Sequence, residues 1–236
     1  QQGDSLLLSP TTEEEVQSLW VPYLDLTRDY AAIRQNFQDD PVMVAAMDFG
    51  SGIRILRQEP WETLVTFLMS QCNNIPRIKS ILQTLCRLFG SPLSYEDQTL
   101  YTFPSPETIA ALTPEDLAPL RCGYRGKYLL ACAKLVASGQ FDLDSLHSLP
   151  MAEARKQLLS LPGVGIKVAD CVLLFGYGKL DAFPVDVWMD RAIGTLYRKE
   201  DFDPSRFGAY CGIAQQYLFY YARENQIGKP TKAKPS

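Results

Sequence analysis

The chain has 236 residues, 46% of them hydrophobic, and a formal net charge of −4; this suffices for one large domain or two small ones, and no run approaches the roughly eighteen apolar residues of a membrane span. Six cysteines, at 72, 86, 122, 132, 171 and 211, lie at least ten residues apart, which excludes zinc spacings and a tight iron–sulfur run. The single histidine, His147, excludes any multi-histidine metal site, and its short polar surroundings mark it as surface.

In chain order the pattern is helix after helix. Ser5 to Leu8 alternates like a short strand, but a lone strand needs a partner. Leu26 to Phe37 is the first helix, followed by a short element over Val42 to Phe49 and a second doubtful strand over Ile53 to Leu56. Pro60 suits the first turn of a long helix through Gln71. Pro76 then breaks the pattern, which resumes from Arg77 to Phe89. Ser105-Pro106-Glu107 and Thr113-Pro114-Glu115 are two further helix starts of the cap-then-proline type. Arg125 to Val136, Met151 to Leu161, Ile166 to Phe175, Val187 to Leu196 and Phe207 to Glu224 complete the helical set. The tail GKPTKAKPS is polar and basic, expected to be disordered and a weak tether for DNA.

The negative total does not exclude a nucleic-acid partner, because phosphate contacts need only a local basic face. Arg77, Lys79, Arg121, Arg125, Lys127, Lys167 and Arg191 lie mid-chain, whereas acids crowd Glu13 to Glu15, Asp39 to Asp40 and Glu200 to Asp203.

The densest chemistry is in Leu161 to Cys171, LPGVGIKVADC, and Phe183 to Asp190, FPVDVWMD. Gly163 and Gly165 allow a tight turn and close approach of a ligand to the backbone. The turn runs into a helix start, where unpaired amides form a ready phosphate site. No strand precedes it, so it is not a dinucleotide loop; a plain interhelical turn is the bland alternative. Lys167 falls in the first helical turn, where a cation is unfavourable because like poles meet. It is either a nucleophilic amine or a surface lysine reaching a phosphate. Asp186 precedes the Val187 helix and is a helix cap, a catalytic carboxylate, or both. Of the rival acids, Asp170 is the more structural, and Asp190 is expected to pair with Arg191.

These residues carry a family resemblance. LPGVGIKVADCVLLFG with Val185-Asp186-Val187 resembles the helix-hairpin-helix Gly/Pro…Asp (HhH-GPD) superfamily of base-excision DNA glycosylases, and within it the 8-oxoguanine DNA glycosylases. RILRQEP (Arg54 to Pro60), Asn73-Asn74-Ile75 with Arg77, Gly123-Tyr124-Arg125, and Gln215 with Leu218-Phe219 extend the likeness over most of residues 20 to 225. The resemblance implies a mainly α fold, with two helical subdomains flanking a helix-hairpin-helix cleft and a remnant strand of an N-terminal α/β domain. Residues 1–22 would be that remnant, 23–228 the glycosylase body with its hairpin at 151–175, and 229–236 the tail.

The activity so implied is excision of 8-oxoguanine opposite cytosine followed by strand cleavage 3′ to the abasic site. Lys167 would attack C1′ and form a Schiff base, and Asp186 would stabilise the oxocarbenium centre. Cys171 and Phe219 would sandwich the flipped base, with Gln215 on its Watson–Crick edge. Arg77 and Arg125 would read the estranged cytosine, with Asn73 and Cys72 nearby, while Tyr124 wedges into the stack. Gly163, Val164, Gly165 and Trp188 would contact DNA phosphate. No cofactor or iron–sulfur cluster is implied, only a structural Na, K, Ca or Mg ion at the 163–165 hairpin. The implied partner is damaged double-stranded DNA, with no membrane, and the chain is expected to be a monomer. QQGDSLLLSP lacks the layout of a secretion signal, so a cytoplasm or nucleoid is expected ahead of a nucleus.

Three departures stand out. Cys72 replaces an asparagine of the eukaryotic relatives, Trp188 replaces a histidine, and most of the N-terminal domain is expected to be missing. The competing readings are a bifunctional glycosylase for another damaged or mismatched base, and a noncatalytic DNA-binding module that uses the hairpin as a phosphate clamp.

Overall fold

A computed structural model describes residues 5–228, so the basic tail lies outside the described residues. The chain is helical nearly throughout: α1 (Glu13–Glu15) and α2 (Val21–Tyr23) joined by a π turn over Val16–Trp20, α3 (Tyr30–Gln35), α4 (Pro41–Phe49), α5 (Pro60–Ser70) and α6 (Ile75–Phe89). After a hairpin of β1 (Pro92–Tyr95) and β2 (Gln98–Tyr101) come α7 (Pro106–Ala110), α8 (Arg125–Ala137), α9 (Met151–Leu158), α10 (Ile166–Tyr177), α11 (Val187–Leu196) and α12 (Cys211–Glu224). No helix among the described residues is long and apolar enough to cross a membrane.

Local chemistry accounts for most boundaries. Asp29, Asp40, Glu59, Asn74, Ser105 and Asp186 each accept a backbone N–H of the following turn, supplying partners for amides that a helix start leaves unpaired. Prolines in the first turn follow four of these caps, at 41, 60, 76 and 106. Pro76 therefore opens α6 rather than breaking a helix. The interruption lies earlier, at Gln71 to Asn74, where Cys72 adopts a left-handed φ of 46°.

Other expectations need correction. The first long helix is confined to Tyr30–Gln35 because Asp29 caps it there. Thr113-Pro114-Glu115 forms a turn leading into a 3-10 segment at Ala118–Leu120, not an α-helix. The last helix begins at Cys211, since Gly208 (φ 60°) kinks the segment before it. Residues 53–56 are irregular: the Ile55 amide donates to the Tyr30 hydroxyl at 2.8 Å and the Arg57 amide to the Tyr23 carbonyl at 2.9 Å. Over Ser5 to Leu8, Ser5 occupies an isolated bridge position and the rest is irregular. The antiparallel hairpin pairs Pro92 with Tyr101 and Tyr95 with Gln98; Glu96, with φ 52°, turns it.

The core places α10 at the centre. Val168, Ala169, Cys171, Val172, Leu173 and Leu174 are all buried, the mark of a helix covered on every side. It packs against α5, with Phe67 stacked on Phe175 at 5.6 Å. Around this pair, α6, α7, α8 and α9 form one helical group. The other joins α4, α11 and α12 with the 3-10 segment Pro204–Tyr210. Gly212 sets the junction: a Cβ there would lie 2.7 Å from the Ala182 carbonyl oxygen and 2.6 Å from Leu174. That close approach seats α12 on the loop that leads from α10 to Asp186.

Candidate active site

Lys167 comes from the first helical group and Asp186 opens the second, so the site lies where the two meet. The hairpin helices α9 and α10 are tied by a 2.6 Å bond from Arg155 Nε to the buried Asp170 carboxylate. Burial pushes the Asp170 carboxyl above its ordinary value, and the hydrogen bond and charge of Arg155 oppose that rise. Asp170 is thus structural, as expected. Between the helices, Gly163 takes φ 81° and lies directly on the Tyr128 ring. Gly165 caps α10 without any side-chain acceptor, and nothing lies within 4 Å of where its Cβ would be. The first amides of α10 are therefore free for an anion. The Gly163 and Val164 carbonyls accept no hydrogen bond among the described residues, which suits the oxygen donor set of a hard cation.

The Lys167 ammonium lies 4.9 Å from the centre of the Phe67 ring and 3.4 Å from Ser70 Oγ. Both partners come from α5, and neither stood out in the sequence, because no local spacing links them to position 167. One turn along α10, the buried Cys171 thiol is pushed up to about 12. Burial is the main cause; the Lys167 charge and hydrogen bond pull it down, and the Asp170 and Asp186 charges push it up. Lys167, Cys171 and Asp186 thus share one electrostatic neighbourhood, and Cys171 stays a neutral thiol at pH 7.

Asp186 Oδ1 accepts the Met189 amide at 2.7 Å, so the residue is a helix cap and its carboxylate is fixed at the start of α11. Two residues earlier, the Pro184 carbonyl accepts Gln215 Nε2 at 2.9 Å. Gln215 Oε1 in turn accepts Gln216 Nε2 at 2.5 Å. Gln216, which sequence reasoning passed over, therefore orients the Gln215 amide. Phe219, half-buried, packs on the core from α12. The Trp188 indole N–H is buried with no acceptor among the described residues. Asp190 pairs with Lys199 at 2.7 Å rather than with Arg191, because successive residues on a helix do not face each other.

A second cluster gathers the other predicted residues. Tyr124 is exposed and its ring lies 4.7 Å beneath the Arg125 guanidinium. Arg125 itself is buried, and its donors reach the Gln71, Cys72 and Cys122 carbonyls. It joins the end of α5 to the start of α8. Arg77 is exposed and donates to the Arg121 carbonyl at 2.9 Å. Asn73 donates to the Met69 carbonyl at 2.9 Å, and Cys72 is an exposed free thiol beside it.

The chain's similarity to known proteins follows the same outline. A family profile of the 8-oxoguanine DNA glycosylase N-terminal domain matches residues 5–64. A profile of the HhH-GPD superfamily base excision DNA repair proteins matches residues 65–207. A probable N-glycosylase/DNA lyase of Methanothermobacter thermautotrophicus is 26% identical, over 92% of this chain and 77% of its own. The structure of MBOgg1 with a low-affinity DNA ligand is similar at a TM-score of 0.87 and 44% identity, covering 92% of this chain and 78% of that one. The Clostridium acetobutylicum 8-oxoguanine glycosylase/lyase, bound to DNA with cytosine opposite 8-oxoG, gives a TM-score of 0.86 at 39% identity, covering 92% and 78%.

Proposed function

Because the chain belongs to the HhH-GPD superfamily of base excision DNA repair proteins, we propose that it is a bifunctional DNA glycosylase and AP lyase that removes 8-oxoguanine opposite cytosine. One observation carries the reading: Lys167, held against Phe67 and Ser70 in the first turn of a helix whose start no side chain caps, comes from one helical group, and Asp186, fixed at a helix start by the Met189 amide, opens the other. Phosphate clamping alone requires neither the amine nor the carboxylate.

In this mechanism the damaged nucleotide is flipped out, at an unpairing cost of a few kcal/mol that pocket contacts offset. Once the Lys167 ammonium has given up a proton, its Nζ lone pair forms a bond to C1′ as the N-glycosidic bond breaks, and that bond's electron pair leaves with the base, which takes up a proton. Opening of the sugar ring then gives a Schiff base. Loss of a C2′ proton expels the 3′ phosphate and cuts the strand. Asp186, held by its bond to the Met189 amide, supplies negative charge where the oxocarbenium develops. The Cys171 thiol, neutral at pH 7, forms pocket wall without competing as a nucleophile. A cation on the Gly163 and Val164 carbonyls would add positive charge for the DNA phosphate.

Borohydride trapping tests the proposal on duplexes bearing 8-oxoguanine opposite cytosine, oxidised pyrimidine, uracil or no damage. A covalent adduct on the first is expected, lost in Lys167→Gln and Asp186→Asn but kept in Asp190→Asn. Tight binding with no adduct on any duplex would favour the noncatalytic module. Adducts confined to oxidised pyrimidine would move the substrate class.

A further inference from the structure

Beside the Tyr124–Arg125 cluster is a hollow of about 570 Å³ that none of the roles above uses. Leu117, Cys122 and Leu130 form its buried apolar floor. Three exposed cations, Arg121, Lys127 and Lys134, line it, and no carboxylate does. Among the described residues none of the three is in an ion pair. The nearest acid along the chain, Asp116, is turned onto Thr113 by a 2.8 Å bond. In a chain of net charge −4, three unpaired cations around one hollow are a local anion-binding face.

Its position identifies the anion. Lys127, Leu130 and Lys134 recur at helical spacing along one face of α8, and Gly123, just before the helix, completes that side of the hollow. Tyr124 and Tyr128 lie on the adjoining face, edge to face at 5.9 Å, and Tyr128 carries the Gly163 turn. On the DNA-binding reading, the hairpin amides and Lys167 would face the strand that bears the reacting nucleotide. Tyr124 links Tyr128 and the Gly163 turn to Gly123, which lines the hollow, and the Arg121 carbonyl accepts Arg77, the residue that the resemblance assigns to the opposite base. We propose that Arg121, Lys127 and Lys134 bind the sugar–phosphate backbone of the undamaged strand. The inference rests on the DNA-binding reading of the hairpin and adds a second-strand contact to it.

The test uses the full chain and a duplex containing a tetrahydrofuran abasic analogue opposite cytosine, so that binding is read without turnover. Three consecutive phosphates of either strand are replaced by methylphosphonates near the analogue. Each phosphate contact adds about 0.9 to the slope of log K against log salt, so three contribute about 40-fold between 50 and 200 mM salt. R121Q/K127Q/K134Q, all exposed positions, is expected to lower the slope by about 2 to 3. It should also abolish the effect of neutralising the undamaged strand while keeping that of neutralising the damaged one. R87Q/R198Q/R223Q should preserve both strand effects. If undamaged-strand methylphosphonates weaken wild type and the triple variant equally, or do not weaken wild type at all, this inference is overturned while the DNA-binding reading stands. If neither strand's phosphates matter because the duplex does not bind, the functional proposal itself fails.

Discussion

Gly163→Ala separates the two glycines of the hairpin by physics that the sequence leaves equal. At φ 81°, a Cβ would lie 2.4 Å from Tyr128 Cγ and 2.9 Å from its Cβ. These atoms are at the base of the side chain and cannot swing away. Forcing a non-glycine residue into the left-handed region costs about 1–2 kcal/mol, and overpacking adds about 1–3 kcal/mol. A loss of about 2–5 kcal/mol is therefore expected, or roughly 5–15 °C in melting temperature for a chain of this size. Gly165→Ala has an ordinary φ of −96° and no atom within 4 Å of the new carbon. Its cost should stay below about 1 kcal/mol, since alanine is only a poorer cap. Because its Cβ projects into the open space before the free amides, it should weaken DNA binding in a fully folded protein. Urea unfolding and anisotropy on the same two variants measure both effects. The reasoning is refuted if Gly163→Ala unfolds within about 0.5 kcal/mol of wild type, or if Gly165→Ala is the more destabilised of the two.

Asp186→Asn should keep the cap on α11 while Asp186→Ala loses about 1 kcal/mol of stability; both should lower base release at least about 100-fold, and a stable but fully active asparagine variant would remove the carboxylate from the chemistry. Asp170 sits above its ordinary value through burial, so the folded chain holds this proton more tightly than the unfolded one. Stability from this group is present below the unfolded value near 4 and falls as pH rises toward the folded value. Arg155→Met removes the interactions opposing that shift, extending the window upward; denaturation should show a deficit of about 2–3 kcal/mol at pH 8 that shrinks toward pH 5, and a deficit independent of pH would contradict this. Cys72→Asn suits a left-handed φ of 46° and should raise stability by about 0.5–1 kcal/mol, read as a higher midpoint in urea; a lower midpoint would show that the thiol packs better than its exposure implies.

Much of the fold was legible because its punctuation is local. Pro60 and Ser105-Pro106 bring to a helix start a residue that has no amide to satisfy, and each begins a helix in the structure, whereas the Asp40-Pro41 start of α4 was read only as a short element from Val42. Val187–Leu196 follows from the Asp186 cap in the same way. The hairpin over residues 92–101 was missed because all eight strand residues are exposed, leaving no buried face to impose alternation, and because Glu96-Asp97 is not a glycine-bearing turn. The α12 start was set too early because a glycine kink three residues before Cys211 leaves no mark in apolar periodicity.

The sequence by itself determined the local pieces of the candidate site: a glycine turn running into a helix, Lys167 in its first turn, and Asp186 as the cap of the next helix. These are effects of neighbouring residues on one backbone. Only the tertiary structure decided what surrounds them. Phe67 and Ser70 approach Lys167 from a helix 97 residues away in the chain, and Gly212 lets α12 press on the loop carrying Asp186. Arg125 is buried against the carbonyls that end α5, while Arg121, Lys127 and Lys134 are left unpaired around a hollow. Whether a cation is bonded, buried or available depends on which distant elements pack beside it, and close packing sets that only when the whole chain is folded.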